Sequence, residues 1–158
     1  MIKIIKWKDD NRYEKSINNL LKESFASKKD LIPNKTIVVM IVENNDIMGL
    51  ICLVSNNDLI KFLEKKMLIE DISEMYSIRA AKGIYIYNLS VSKKYRKRGI
   101  GTRLIKIAIY ISRYLKFKYC HVHSENAVSE KMFNRERFFK EKYYNNGKSK
   151  VSLQTFWL

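Results

Sequence analysis

The sequence predicts a mixed α/β domain. Three features carry that expectation. Strand-length runs rich in Ile, Val and Tyr recur along the chain. Segments with apolar residues at helical spacing lie between them. Near the middle, a strand passes through a glycine-containing basic turn into a helix, from Tyr87 to Ile105. The 158 residues suit one domain, 1–158, with no internal repeat or linker.

In chain order, residues 2–7 (IKIIKW) read as a first strand. Asp9 or Asp10 can cap a helix running to about Ser24, with Ile17, Leu20, Leu21 and Phe25 on one face. Pro33 and Asn34 end that region. Thr36 to Glu43 and Ile47 to Val54 read as strands joined by Asn44-Asn45-Asp46, a hairpin. Asn57 or Asp58 can then cap a helix carrying Leu59, Phe62, Leu63 and Met67. A second helical piece follows with Ile72, Met75 and Ile78. Ile84 to Val91 is the fourth strand, and a helix from Thr102 to about Lys116 is apolar on one face through Leu104, Ile105, Ala108, Ile109 and Leu115. Tyr119 to Ser124 is the fifth strand, and Asn126 opens a helix ending near Arg135 or Arg137. Strand-like FFKEKYY, the turn Asn145-Asn146-Gly147 and a final strand VSLQTFWL complete the chain.

Composition excludes several classes. Hydrophobic residues are 46% and charged residues 30%, ordinary for a globular protein. No apolar run approaches the roughly 20 residues that span a membrane. The N-terminal apolar stretch is too short for a signal peptide, so a cytoplasmic protein is expected. Cys52 and Cys120 lie in apolar strands, which points to buried free thiols and supplies no zinc pattern; no metal is expected. The net charge of +15 raises the prospect of a nucleic-acid or ribosome partner. The lysines, however, are spread over the whole length among many Ile, Asn and Tyr residues. That is the pattern of AT-rich coding, not of a dedicated basic patch.

The chemistry centres on the turn. Arg96, Gly99, Gly101 and Thr102 form R-x-x-G-x-G-T. Glycines let the backbone bend so that several N–H groups point one way. With a helix starting there, those groups and the positive end of the helix dipole make an anion site. Arg96, Lys97, Arg98 and Arg103 add positive charge, so a phosphate or pyrophosphate is the expected ligand. A Walker loop is excluded because no G-x-x-x-x-G-K-[ST] occurs. A dinucleotide fingerprint is excluded because Leu104 stands where its third glycine belongs.

This strand–loop–helix resembles the acetyl-CoA loop of the GNAT acetyltransferase superfamily, [QR]-x-x-G-x-[GA]. Residues 126–139, NAVSEKMFNRERFF, are similar to that superfamily's N-x-x-A-x-x-x-Y-x-x-x-G-F, with Asn126 at the asparagine, Ser129 at the alanine and Phe138 at the last aromatic. The likeness runs from about Ile84 to Phe138. It implies a GNAT fold: a mostly antiparallel mixed sheet splayed between its fourth and fifth strands, with helices on both faces. Against that pattern, 56–82 is a helical insertion. The resemblance also implies acetyl-CoA as cosubstrate, held by Arg96, Arg98, Gly99, Ile100, Gly101 and Thr102. Leu89 would offer an N–H to the acetyl group, with Val91 and Asn126 along the pantetheine arm. Two departures stand out. Phe133 occupies the place of a tyrosine that protonates the leaving thiolate, and Arg137 replaces a glycine. A thiol of pKa about 8.5 leaves tolerably unaided, so Phe133 need not abolish transfer.

In such direct transfer, a base must take the proton of the attacking amine. The fourth strand lacks the usual glutamate. It offers Tyr85 and Tyr87, and the fifth offers His121 and His123, each pair on one face by strand alternation. N-terminal protein acetyltransferases hold a catalytic water with a fourth-strand tyrosine and an L-H-V histidine. Y-I-x-x-L from Tyr85 and C-H-V around His121 are similar to those strings, so Tyr85 and His121 are the expected catalytic pair. Tyr143 and Tyr144, before the N-N-G turn, resemble a pair that packs on the substrate peptide. The expected activity is N-acetylation of a primary amine, a protein N-terminus or lysine leading. A small-amine acetyltransferase (polyamine, aminoglycoside or amino acid) is the enzymatic rival, favoured if the acidic cluster Glu70, Asp71 and Glu74 lines the cleft. A non-catalytic CoA- or nucleic-acid-binding protein is the rival from another class.

Overall fold

The computed structural model describes residues 1–24, 32–65, 82–124, 126–145 and 150–158. The elements are β1 (Ile2–Lys6), α1 (Glu14–Ser24), β2 (Ile37–Glu43), β3 (Asp46–Ser55), α2 (Asn56–Lys65), β4 (Gly83–Val91), α3 (Ile100–Tyr114), β5 (Tyr119–Ser124), α4 (Ala127–Arg135), β6 (Phe139–Asn145) and β7 (Lys150–Trp157). The strands form one sheet in the order β1-β2-β3-β4-β5-β7-β6. Every neighbouring pair is antiparallel except β4 and β5, which run parallel and are joined through α3. A parallel pair needs such a crossover, and the long amphipathic helix after the glycine turn supplies it.

The sheet is covered on both faces. One face carries Val39, Ile41, Ile51, Leu53, Ile84, Ile86, Cys120 and Val122 against Ile100, Leu104, Ile105 and Ala108 of α3 and Phe133 of α4. The other packs Val38, Met40, Leu50 and Cys52 on Ile17, Leu20 and Leu21 of α1. It continues into Val54, Tyr85 and Leu153 against Leu59, Ile60 and Leu63 of α2. Both cysteines are free, and burial pushes their thiols up to about 12, which leaves them inert at neutral pH.

A bulge in β4 shapes the site. Opposite β3, Ile86 pairs with Leu53 and Asn88 with Cys52, so Tyr87 is the extra residue. An inserted residue reverses the alternation of side chains beyond it. Ile84 and Ile86 before the bulge, and Leu89 and Val91 after it, therefore all pack towards the α3 core.

Two helix ends have a local reason, and the first of them differs from the sequence expectation. α2 is capped by Ser55, not by Asn57 or Asp58. Ser55 Oγ accepts from the Asp58 N–H at 3.1 Å and donates to Asp58 Oδ2 at 2.8 Å, because β3 runs straight into the helix. α4 ends in a Schellman motif: the Phe138 N–H reaches Phe133 O (3.1 Å), and the Arg137 N–H reaches Asn134 O (3.0 Å). Phe138 packs edge-on to Phe133 at 5.1 Å, the apolar contact that accompanies this motif. Arg137 sits at its left-handed position, φ 68°, where glycine is at ease. Its side chain is exposed. Arg137→Gly is therefore expected to raise stability by about 0.5–1 kcal/mol in urea unfolding. A loss of stability would mean that the arginine side chain makes a stabilising contact.

The helix expected over 56–82 is present as α2. Its second piece, with Glu70, Asp71 and Glu74, lies outside the described residues.

Candidate active site

At the basic turn, Gly99 precedes α3 with φ 73° and no side chain to cap the helix, so the first-turn N–H groups of α3 remain open to a ligand. A Cβ at Gly99 would meet nothing within 4 Å, so the turn is open at this point. Gly101 plays a different part from the backbone bend expected of it. It lies inside α3, and a Cβ there would come within 2.9 Å of Met132 Sδ. Its smallness lets α4 approach α3. The flanking cations are partly tied down: Arg96 Nε donates to Val91 O (3.2 Å), and Arg98 lies over the Tyr95 ring at 5.5 Å. Tyr95 is itself anchored, its hydroxyl donating to Asp46 Oδ2 at 3.0 Å. The resulting cradle of helix N–H groups, glycine and arginine fits a pyrophosphate.

Beside this cradle the sheet divides. β4 pairs with β5 only from Gly83–Tyr119 to Ile86–Val122. Leu89 and Val91 lie beyond that point, half-buried, on the stretch of β4 that has no register partner in β5. Backbone groups in such a split can pair with an extended ligand arm instead of a strand. At its other side, Asn126 caps α4, its Oδ1 accepting from the Ser129 N–H at 2.9 Å. Asn126 is exposed, and the cap engages its oxygen only.

The polar groups near the split come from β4 and β5. Tyr85 stands opposite His121 in the parallel register, yet its hydroxyl meets Nδ1 of His123, at 2.5 Å. The two rings are tilted, with centroids 5.5 Å apart. His121 turns elsewhere: its Nδ1 lies 2.9 Å from Thr155 Oγ1. It is 4% exposed, and its Nε2 has no hydrogen-bond partner. Burial, with a smaller contribution from His123, pushes its imidazole down to about 4. The unfolded chain thus takes up a proton that the folded chain refuses, and stability falls as pH drops from 6.5 towards about 4. His121→Gln should flatten that fall, by up to about 3 kcal/mol, in urea unfolding at pH 7, 5.5 and 4.5. Parallel curves for variant and parent would remove His121 as the titrating group.

Phe133, on α4, is buried in the α3 core with its ring edge-on to Phe138. The backbones of Tyr143 and Tyr144 lie in β6 opposite Ser152 and Val151. Sequence alternation put His121 and His123 on one face; that Tyr85 reaches His123 depends on how β4 and β5 pair, for which the sequence carries no local signal.

Parallel strands joined through a helix, parting next to an uncapped helix start, are the arrangement that the GNAT resemblance implies. The model of the Acetyltransferase (GNAT) family matches residues 3–138, and the chain belongs to that family. No curated protein matches it significantly. Its fold is similar to that of the IAA acetyltransferase from Bacillus cereus ATCC 14579, with 13% identity over 100% of this chain and 99% of that one and a TM-score of 0.67. It is similar to a chain of the NatC complex bound to Gag peptide and CoA, with 16% identity, 99% and 98% covered and a TM-score of 0.67. It is also similar to the ribosomal-protein-S18-alanine N-acetyltransferase from Escherichia coli, with 10% identity, 99% and 94% covered and a TM-score of 0.66. Among the described residues, no helix is long and apolar enough to cross a membrane.

Proposed function

We propose that this chain transfers the acetyl group of acetyl-CoA to a primary amine, with a protein N-terminus or a lysine side chain as acceptor, in the cytoplasm. The observation that carries this is the parting of β4 from β5 after Ile86 and Val122, next to the open N-terminus of α3 at Gly99. One end suits the pyrophosphate and the split suits the pantetheine arm, with Leu89, Val91 and Asn126 beside it. The likeness to the NatC complex, which binds a Gag peptide, and to the ribosomal-protein-S18-alanine N-acetyltransferase supports a peptide acceptor. Tyr143 and Tyr144 are assigned to that peptide. The two free buried thiols support a reducing compartment.

In the reaction, the amine nitrogen bonds to the acetyl carbon, and the thiolate of CoA leaves. The amine proton passes, directly or through a water, to the couple of Tyr85 and His123. Their 2.5 Å contact supports His123 as acceptor, whereas the deep burial of His121 suits a neutral supporting ring. Acetyl-CoA turnover over N-terminal peptides, lysine peptides and polyamines tests the assignment. Peptides should turn over best. Preferential turnover of polyamines would overturn the acceptor, and tight CoA binding without turnover of any amine would overturn the activity.

A further inference from the structure

Asn56 is the first residue of α2, but Ser55 does the capping, and nothing in the helix uses the Asn56 side chain. That side chain is wholly buried, and neither its Oδ1 nor its Nδ2 has a hydrogen-bond partner. Nε2 of His121 is buried and unpartnered as well. The two side chains converge at Gly83. A Cβ there would lie 2.2 Å from Asn56 Nδ2 and 3.0 Å from His121 Cδ2, so only glycine lets both come this close. Three elements, α2, β4 and β5, thus bring three orphaned polar atoms to one place.

Buried amide and imidazole atoms are nearly always satisfied in native proteins, because leaving them unpaired forfeits their hydration with no return. None of these atoms is open to bulk solvent, so a partner has to be enclosed with them. A buried water typically makes about three hydrogen bonds, the number of atoms available here. We propose that Asn56 and His121 together bind one buried water molecule beside Gly83. Asn56 is then a positioning residue. With Nδ1 on Thr155 and Nε2 on the water, the His121 ring is confined to one orientation. A neutral His121 adds no like charge to oppose a proton taken up by the Tyr85–His123 couple; that last consequence rests on the proposed acetyl transfer, whereas the water site does not.

The test is a double-mutant cycle with Asn56→Leu, His121→Phe and the pair, read as urea midpoints at pH 7. Each single variant should lower the midpoint, because each strands the other partner. The double variant should fall no further than the worse single, because no orphan remains. Additive losses, or a higher midpoint for Asn56→Leu, would overturn the proposal. Two direct readouts apply to the unaltered protein and do not depend on a variant folding. A high-resolution crystal structure should show one water within hydrogen-bond distance of Asn56 and His121 Nε2, and a dry contact refutes it. Nitrogen-15 NMR should show the His121 Nε2 resonance shifted in Asn56→Leu, where the hydrogen bond at that atom is weakened or lost; identical spectra refute the positioning role. None of these readouts uses catalysis, so failure of the acetyltransfer assay and failure of the water site are told apart.

Discussion

A Gly99→Val variant is expected to bind acetyl-CoA at least about 100-fold more weakly than the parent. Two effects act together. Valine at φ 73° is strained by roughly 1–3 kcal/mol, so the loop relaxes towards negative φ and turns the first N–H groups of α3 away from the anion. The new side chain also adds bulk at the start of the helix, where no protein atom lies within 4 Å of its Cβ and a bound anion would sit. A tenfold loss corresponds to about 1.4 kcal/mol, so strain and obstruction together reach the expected size. Gly101→Ala is the contrasting case. Its Cβ presses on the flexible end of Met132 and leaves the helix start intact, so it should weaken binding much less. Calorimetric titration with CoA checks both, with circular dichroism as a control for folding. Parent-like affinity in Gly99→Val would sink the pyrophosphate assignment.

His123→Ala is expected to lower kcat by about 100- to 1000-fold while the Kd for CoA changes little, as removal of a general base does. Tyr85→Phe should lower kcat through the same couple, since its hydroxyl meets His123 Nδ1 at 2.5 Å, and the two losses should not add. His121→Gln should cost less in kcat, because the ring lies buried against Thr155 and is held neutral. Steady-state kinetics of the three variants decides between the histidines. A dead His121→Gln with full activity in His123→Ala would return the role to His121.

These histidines show where a linear reading stops. Alternation along one strand places His121 and His123 on a common face, and a strand tyrosine next to them is visible in the string YIYNL. Which of them meets the Tyr85 hydroxyl depends on how β4 and β5 lie together, a contact between residues 38 positions apart. The caps are a milder instance. Asp58 was legible as a residue at the start of α2, but the strand runs to Ser55, and so the serine takes the capping role.

What the amino-acid order determined by itself is local. Helical apolar spacing, β-branched runs and turn residues specify most of the described elements, and R-x-x-G-x-G-T between strand and helix specifies an anion cradle, because backbone geometry and the helix dipole act over a few residues. The tertiary structure alone decided what depends on distant segments meeting. It set where β4 leaves β5, that Tyr87 bulges and so turns Leu89 and Val91 to the α3 face, and that Gly101 makes room for Met132. It also brought Asn56, Gly83 and His121 to one buried point. The physical reason is common to all of these. Packing and register are settled by the balance of many long-range contacts across a sheet, and no short window of sequence contains both partners.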